Sequence, residues 1–230
     1  MSIDFDAVSS TTGTVSSTIT WAHVVGNGYN RGLIVGVAAQ DVTVNTDFVV
    51  TGIKYNNVAM TYAIAINSTT SPYVRCELWY IMEPNIPISG SYNIVVTFNG
   101  TVDSFVAGGI SVFGIKNAAP TSTNTQSISN AQVNTTITPV TLEAWVFDVI
   151  SLRYVAGQTE PILSDAAIGQ RIRWSLGSGG AGVLGGMSTK STSIINTATS
   201  LGWGSNKTSR KIHSLAVFSP AVPVQSIFDC

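Results

Sequence analysis

Two histidines stand out among the residues of this chain that can do chemistry, because imidazole binds metal ions and exchanges protons near neutral pH. His23 and His213 lie near opposite ends of the 230-residue sequence, each in a segment where apolar residues alternate. Strands from opposite ends of a chain often pair in sandwiches, which would allow a metal pair or an acid–base pair. No His-x-His or Glu-x-x-His spacing accompanies either residue. We therefore interpret both as structural or surface histidines.

The acidic residues suggest two further kinds of site. Asp4 and Asp6 project to the same side of an extended segment, which suits calcium, although an exposed N-terminal edge strand is the simpler interpretation. Glycoside hydrolysis requires two carboxylic residues that face each other across a cleft. Only two of the glutamates fall in predicted strands, Glu77 and Glu143, so this pattern does not favour a glycosidase. The four glutamates are Glu77, Glu83, Glu143 and Glu160.

A glycine-rich run at 177–182, Gly-Ser-Gly-Gly-Ala-Gly, has a superficial likeness to a phosphate-binding loop. Such a loop requires a Lys followed by Ser or Thr and a strand-to-helix context, and neither is present. We interpret the run as a flexible hairpin loop. The serines include no Gly-x-Ser-x-Gly nucleophile elbow, so a serine hydrolase is not supported. The prediction is a protein that is not an enzyme and has no catalytic residue, cofactor or metal ion.

An enzyme with a site of unrecognised type is the alternative left open. Substitution of His23 or His213 by Ala would then abolish an activity rather than only change stability.

Tryptophan offers a different kind of site, because an aromatic face suits the apolar face of a sugar ring. Most large aromatic residues lie in cores, so we expect most of these side chains inside the molecule or between sheets. An exposed aromatic row would favour a carbohydrate-binding module, and a buried set would count against it. The five tryptophans are Trp21, Trp79, Trp145, Trp174 and Trp203.

The elements that must position these residues are strands. Ser, Thr, Asn, Gly and Val are abundant and only 10% of residues are charged, a composition that favours strands and turns. Apolar residues alternate with period two at 33–37, 74–80, 92–98, 142–150 and 170–174. Asn56-Asn57 predicts a tight hairpin, and a helical turn is predicted only near 164–168. The class is all-β.

The length suits one domain. We predict a single two-sheet antiparallel β-sandwich of jelly-roll type over residues 1–219, followed by a C-terminal tail at 220–230 that contacts a neighbour. The polar segment 118–134 is either a long crossover within this sandwich or a linker between two small ones.

The charge balance excludes several partners. A net charge of -1 provides no basic field for nucleic acid. The longest apolar runs, 32–39 and 105–115, fall short of the roughly 20 residues that cross a bilayer as a helix. The first six residues do not have the features of a signal peptide, so we expect no export by that route. Cys76 and Cys230 are predicted to be free thiols rather than a disulfide.

Several motifs of the first half occur in a familiar order: Thr20-Trp21-Ala22-His23, 30–37, 53–61, Leu78-Trp79-Tyr80, 93–97 and 108–111. They resemble a loosely defined family of β-sandwich proteins of tailed bacteriophages and bacterial surfaces. A Trp-x-His strand, an Asn-Arg-x-Leu strand, a Tyr-x-Gly hairpin and a Leu-Trp-Tyr strand recur there in this order. The resemblance covers about residues 1–115, and 201–203 and 214–218 fit the closing hairpin loosely. Asn57 stands where the family usually has Gly, a tolerable change at a left-handed turn.

The resemblance implies a virion or surface module without catalytic residues. We expect a non-enzymatic phage structural protein, a capsid decoration or head protein that docks in many copies on a symmetric lattice. The alternative is a carbohydrate- or host-receptor-binding module of a tail or fibre. The expected partners are the major capsid protein or tail proteins, further copies of the chain and a host surface glycan. The expected location is the virion, assembled in the host cytoplasm.

Overall fold

The computed structural model describes residues 2–42, 48–69, 71, 73–153, 163–165, 167–179 and 182–222. Within these ranges the chain forms thirteen strands and no helix. The strands are β1 (Asp4–Val25), β2 (Gly32–Asp41), β3 (Val50–Tyr55), β4 (Val58–Ala59), β5 (Thr61–Asn67), β6 (Tyr73–Met82), β7 (Gly90–Phe113), β8 (Ser122–Ile137), β9 (Trp145–Arg153), β10 (Leu163–Asp165), β11 (Arg171–Gly177), β12 (Val183–Ser191) and β13 (Thr199–Phe218).

The local predictions agree with many of these strands, and the turn chemistry can be compared directly. Asn56 and Asn57 have φ values of 48° and 64° and connect β3 to β4, which confirms the hairpin. The helical turn predicted near 164–168 is wrong, because residues 163–165 belong to β10, which pairs with β13. A three-residue strand is too short for its alternation to be recognised in a sequence.

The strands form two antiparallel sheets that pack against each other, which confirms the all-β sandwich. In the first sheet the order is β4-β3-β7-β2-β6-β5, with β1 also paired to β7. In the second it is β10-β13-β9-β12-β11, with β8 also paired to β13. The jelly-roll connectivity and the division into one domain and a tail stay predictions.

The two sheets share one strand order. The first contains β1-β7-β2-β6-β5 and the second contains β8-β13-β9-β12-β11. In both, the first strand of the sheet along the chain is followed by the last, the second, the last but one and the last but two. The polar segment 118–134 lies largely in β8, the first strand of the second set. The start of the expected tail is held to the body, because Ala221 donates its N–H to the carbonyl oxygen of Gly114 (2.7 Å). Residues 223–230 lie outside the described residues.

Long strands bend, so that one part of a sheet folds over the outer face of another part of the same sheet. The first part of β7 pairs with β3, whereas the second part, from residue 104 onward, pairs with β2. A methyl group on Gly109 would lie 3.1 Å from Cδ1 of Ile94, a residue of the same strand. The paired strand β1 changes register between Ser16 and Thr18, next to Val15, whose φ is 45°.

With this bending, buried side chains cluster between the two sheets and also within each of them. Between the sheets, Ile34, Leu78 and Val106 of the first sheet belong to one buried cluster with Val149 and Met187 of the second. The first sheet encloses its own cluster, which includes Leu33, Tyr55, Trp79 and Ile94. The second sheet encloses Val133, Ile150, Leu184 and Trp203. At the surface, the edge strand β1 of the first sheet contacts the edge strand β11 of the second.

Candidate binding surface

The two histidines do not meet. His23 lies in β1 of the first sheet and His213 in β13 of the second, and both side chains are buried. The structure thus places each ring as a core residue, in agreement with the structural interpretation. Among the described residues, no three His, Cys, Asp or Glu side chains are grouped to hold a metal ion.

His213 belongs to a buried polar network of the second sheet. Its Nε2 lies 2.9 Å from Oδ2 of Asp148, and its Nδ1 lies 2.8 Å from the hydroxyl oxygen of Thr135. Asp148 also accepts the indole N–H of Trp203 (2.8 Å) and the backbone N–H of Ser188 (2.6 Å). With His213, Asp148 and Trp203 fully buried, this His–Asp pair is closed to any substrate and holds the core together.

His23 belongs to a smaller network of the first sheet. Its Nδ1 lies 2.7 Å from the hydroxyl oxygen of Ser9, which also accepts the indole N–H of Trp21 (3.0 Å). Its Nε2 is buried and has no hydrogen-bond partner among the described residues. Burial lowers the pKa of His23 to about 4, against the opposing charge of Asp6. The ring is therefore neutral at physiological pH.

Glu77 and Glu83 do not form a catalytic pair. Glu77, in β6 as predicted, is buried and accepts the indole N–H of Trp79 (3.0 Å) and hydrogen bonds from Arg75 and Val50. Glu83 accepts hydrogen bonds from the guanidinium of Arg31, and these bonds lower its pKa. Both carboxylates are thus bound by structural partners.

The remaining glutamates are Glu143 and Glu160. The prediction that Glu143 lies in a strand is wrong, because it precedes β9 with a φ of 57°. Glu160 lies outside the described residues.

Of the two aspartates near the N-terminus, Asp6 is held by structural partners. Asp6 accepts the backbone N–H of Gly26 (2.8 Å) and the hydroxyl of Ser111 (2.8 Å), whereas Asp4 is exposed on an edge strand. The glycine-rich run joins β11 to β12, as predicted, and residues 180 and 181 lie outside the described ones.

Cys76 is a free, buried thiol, and burial raises its pKa to about 12. Cys230 is outside the described residues.

The tryptophans provide no exposed row. Trp21, Trp79, Trp174 and Trp203 are buried, and Trp145 is half-buried. This agrees with the expectation that most of them lie in cores. It also removes four of the five side chains from any sugar-stacking surface.

One surface pocket combines charge with aromatic walls. It has a volume of about 370 Å³ and lies where β1, the edge of the first sheet, meets β11, the edge of the second. Its lining residues are Phe5, Trp145, Gly169, Arg171, Arg173, Thr189 and Ser191. We call it the arginine pocket. The sequence analysis missed it, and the only available signal was the Arg-x-Arg spacing in a predicted strand.

Arg173 is held in this pocket by three contacts. Its guanidinium carbon lies 4.3 Å from the ring centroid of Phe5 and 5.6 Å from that of Trp145. Its Nε donates to the hydroxyl oxygen of Thr189 (2.8 Å). Burial, and then the charge of Arg171, lowers the pKa of Arg173. The side chain is therefore ordered, and a like charge lies beside it.

A second surface adjoins the arginine pocket. Trp145 and Ser191 also line a neighbouring pocket of about 380 Å³ together with Glu143 and Thr192. Here two loops, 138–144 and 192–198, are joined by hydrogen bonds from Asn196 to Pro139 and from Thr192 to Ala144. We call them the apolar loop pair, because they expose four large apolar side chains. These are Val140, Leu142, Ile194 and Ile195.

Comparisons with known proteins provide no further guide. The chain matches no family model, no curated protein and no solved structure. In the described part of the chain, no helix is long and apolar enough to cross a membrane.

Proposed function

We propose that this chain is a non-enzymatic structural protein of a bacteriophage particle, a capsid decoration or head protein that docks in many copies on a symmetric lattice. Its partners are the major capsid protein or tail proteins and further copies of itself. Its location is the virion, assembled in the host cytoplasm.

The apolar loop pair carries this proposal. Interface centres are enriched in apolar side chains and depleted in charged ones, and exposed apolar surface on a soluble body marks contact sites. Backbone hydrogen bonds join the two loops to each other. The loops nevertheless expose four large apolar side chains, Val140, Leu142, Ile194 and Ile195. An exposed apolar surface of this kind suits repeated docking on a lattice.

The first experiment is mass spectrometry of purified particles from the source lysate, with the copy number measured against the major capsid protein. We expect many copies per particle. Absence from the particles would overturn the proposal.

Substitutions in the loop pair then test the docking surface. Leu142→Asp and Ile194→Asp place a charge at the contact and should reduce the copy number at least tenfold. Val24→Asp, at an exposed position in β1 of the other sheet, is the matched control and should leave it unchanged. Equal copy numbers in all three variants would place the docking surface elsewhere.

A carbohydrate- or host-receptor-binding module is the second candidate. The burial of four tryptophans counts against a stacking platform made from them. The arginine pocket favours this candidate, because aromatic rings and hydrogen-bond donors lie together in it. A glycan array with the purified chain tests it. Binding of a defined set of glycans supports the candidate, and no binding excludes it.

A further inference from the structure

The arginine pocket has the composition of a ligand site. Its volume of about 370 Å³ falls in the range of about 300 to 1,000 Å³ that is typical of small-molecule pockets. Phe5 and Trp145 provide apolar walls, and Arg171 and Arg173 provide donors. The walls come from one strand of each sheet, β1 and β9, so the pocket exists only in the assembled fold.

No carboxylate among the described residues neutralises the two guanidinium groups. Neither Arg171 nor Arg173 forms an ion pair with any residue that the structure describes. The donor groups at the end of Arg173 are also free of described partners, since its hydrogen bond to Thr189 uses Nε. Two adjacent, unpaired cations repel each other, and an anion between them relieves this repulsion.

The aromatic contacts orient this charge before a ligand arrives. The guanidinium of Arg173 lies over the ring of Phe5 and is tied to Thr189 through Nε, and these two contacts fix its orientation. A guanidinium in a fixed plane matches the two oxygens of a carboxylate. Phe5 itself is 39% exposed, which leaves part of its surface available to a ligand.

We propose that the arginine pocket binds a saccharide that carries a carboxylate, such as a uronic acid unit of a polysaccharide. Arg171 and Arg173 bind the carboxylate, and the apolar face of the sugar ring lies against Phe5 and Trp145. Glu143 lines the neighbouring pocket rather than this one, so it does not oppose the anion from within the site. Ligand binding in this pocket is independent of the proposed structural role, because a docked particle protein can still display the pocket.

The test uses a glucuronate-containing disaccharide and its carboxyl-reduced, neutral form, titrated into the full chain at constant ionic strength. Binding is measured by calorimetry and by Trp fluorescence. We expect the acidic form to bind at least tenfold more tightly than the neutral form. Arg171→Gln and Arg173→Gln should each weaken it about tenfold, and Phe5→Leu should weaken it more than it weakens the binding of phosphate.

The control is Lys54→Gln, which removes an exposed positive charge from β3 on the first sheet. It should leave the affinity unchanged, and the thermal midpoints of all variants identify any that fail to fold. Arg171 is exposed, so its variant keeps the test valid if Arg173→Gln unfolds. No binding of the acidic disaccharide at 10 mM, on the order of the weakest useful affinity, would overturn the proposal. Equally tight binding of phosphate, or an equal loss in Lys54→Gln, would also overturn it.

Discussion

Asp148 lies fully buried in β9 and accepts hydrogen bonds from two other strands, β12 and β13. One carboxylate oxygen binds the backbone N–H of Ser188, and the other binds the side chains of Trp203 and His213. A buried carboxylate is costly unless it is well paired, and here each oxygen has a donor. Trp203 and His213 lie in β13, and His213 also contacts Thr135 of β8. The network therefore fixes the positions of β8 and β13 in the second sheet.

Asp148→Asn tests this network. The new amide group must replace one oxygen and then faces either the N–H of Ser188 or that of Trp203, so two donors meet in a dry site. We expect a loss of about 3 kcal/mol in the free energy of unfolding, measured by urea denaturation. Asp4→Asn, at an exposed position, should change it by less than about 0.5 kcal/mol. Equal effects of the two substitutions would contradict this role.

His23 makes stability depend on pH. Its pKa is about 4 in the folded chain, below the 6.5 of an exposed histidine, because burial disfavours the charged ring. The unfolded chain therefore takes up a proton first as the pH falls. The stability contributed by the neutral ring is complete above pH 6.5 and is lost progressively as the pH falls towards 4.

We expect this loss to reach about 3 kcal/mol at pH 4. The measurement is the free energy of unfolding from pH 7.5 to 4 in the wild type and in His23→Leu, which cannot titrate. Asp6, Ser9 and Tyr55 face the ring in both proteins, so the difference in slope isolates His23. Parallel curves would show that His23 does not titrate in this way.

At the scale of elements, the bend in β1 and β7 decides the shape of the first sheet. The chain accommodates it by a register shift and by a left-handed residue, Val15, at an exposed position. A β-branched residue is strained in that conformation, because its side chain crowds the backbone. The same strand without the bend would leave Leu33 and Ile94 on a bare outer face.

Val15→Asn should therefore stabilise the protein. Asparagine tolerates a positive φ, and Val15 is 73% exposed, so little packing is lost. We expect the free energy of unfolding to rise by about 1 kcal/mol, measured by thermal and urea denaturation. Val8→Asn is the matched control in the regular part of β1, where it should be neutral or destabilising. A destabilised Val15→Asn would mean that this position prefers an extended backbone.

At the scale of the whole molecule, two sheets with one strand order pack face to face. Their approach is close at Gly36 in β2 and Gly185 in β12. A methyl group on Gly185 would lie 2.5 Å from Cγ2 of Val106 and 2.8 Å from Cβ of Ala38, both in the opposite sheet. Glycine is thus required for contact between the sheets rather than for a turn.

Gly185→Ala should lower the free energy of unfolding by about 2 kcal/mol, because the added methyl forces the sheets apart. Gly52→Ala is the control, since no atom lies within 4 Å of the methyl group that it adds. It should be neutral or slightly stabilising. Calorimetry of both variants measures the difference. Equal transition temperatures would mean that the sheets separate without cost.

The sequence by itself determined the all-β class, many of the strands and the turn at Asn56 and Asn57, because these follow from a periodicity of two and from local turn chemistry. It also indicated that most tryptophans are buried. Only the tertiary structure decided which strands pair, that β1 and β7 bend, and that His23 and His213 lie in separate cores. The tertiary structure also decided where the arginine pocket forms. Phe5, Trp145 and Arg173 are far apart in the chain, and alternation predicts which face a side chain takes but not which strand it will meet.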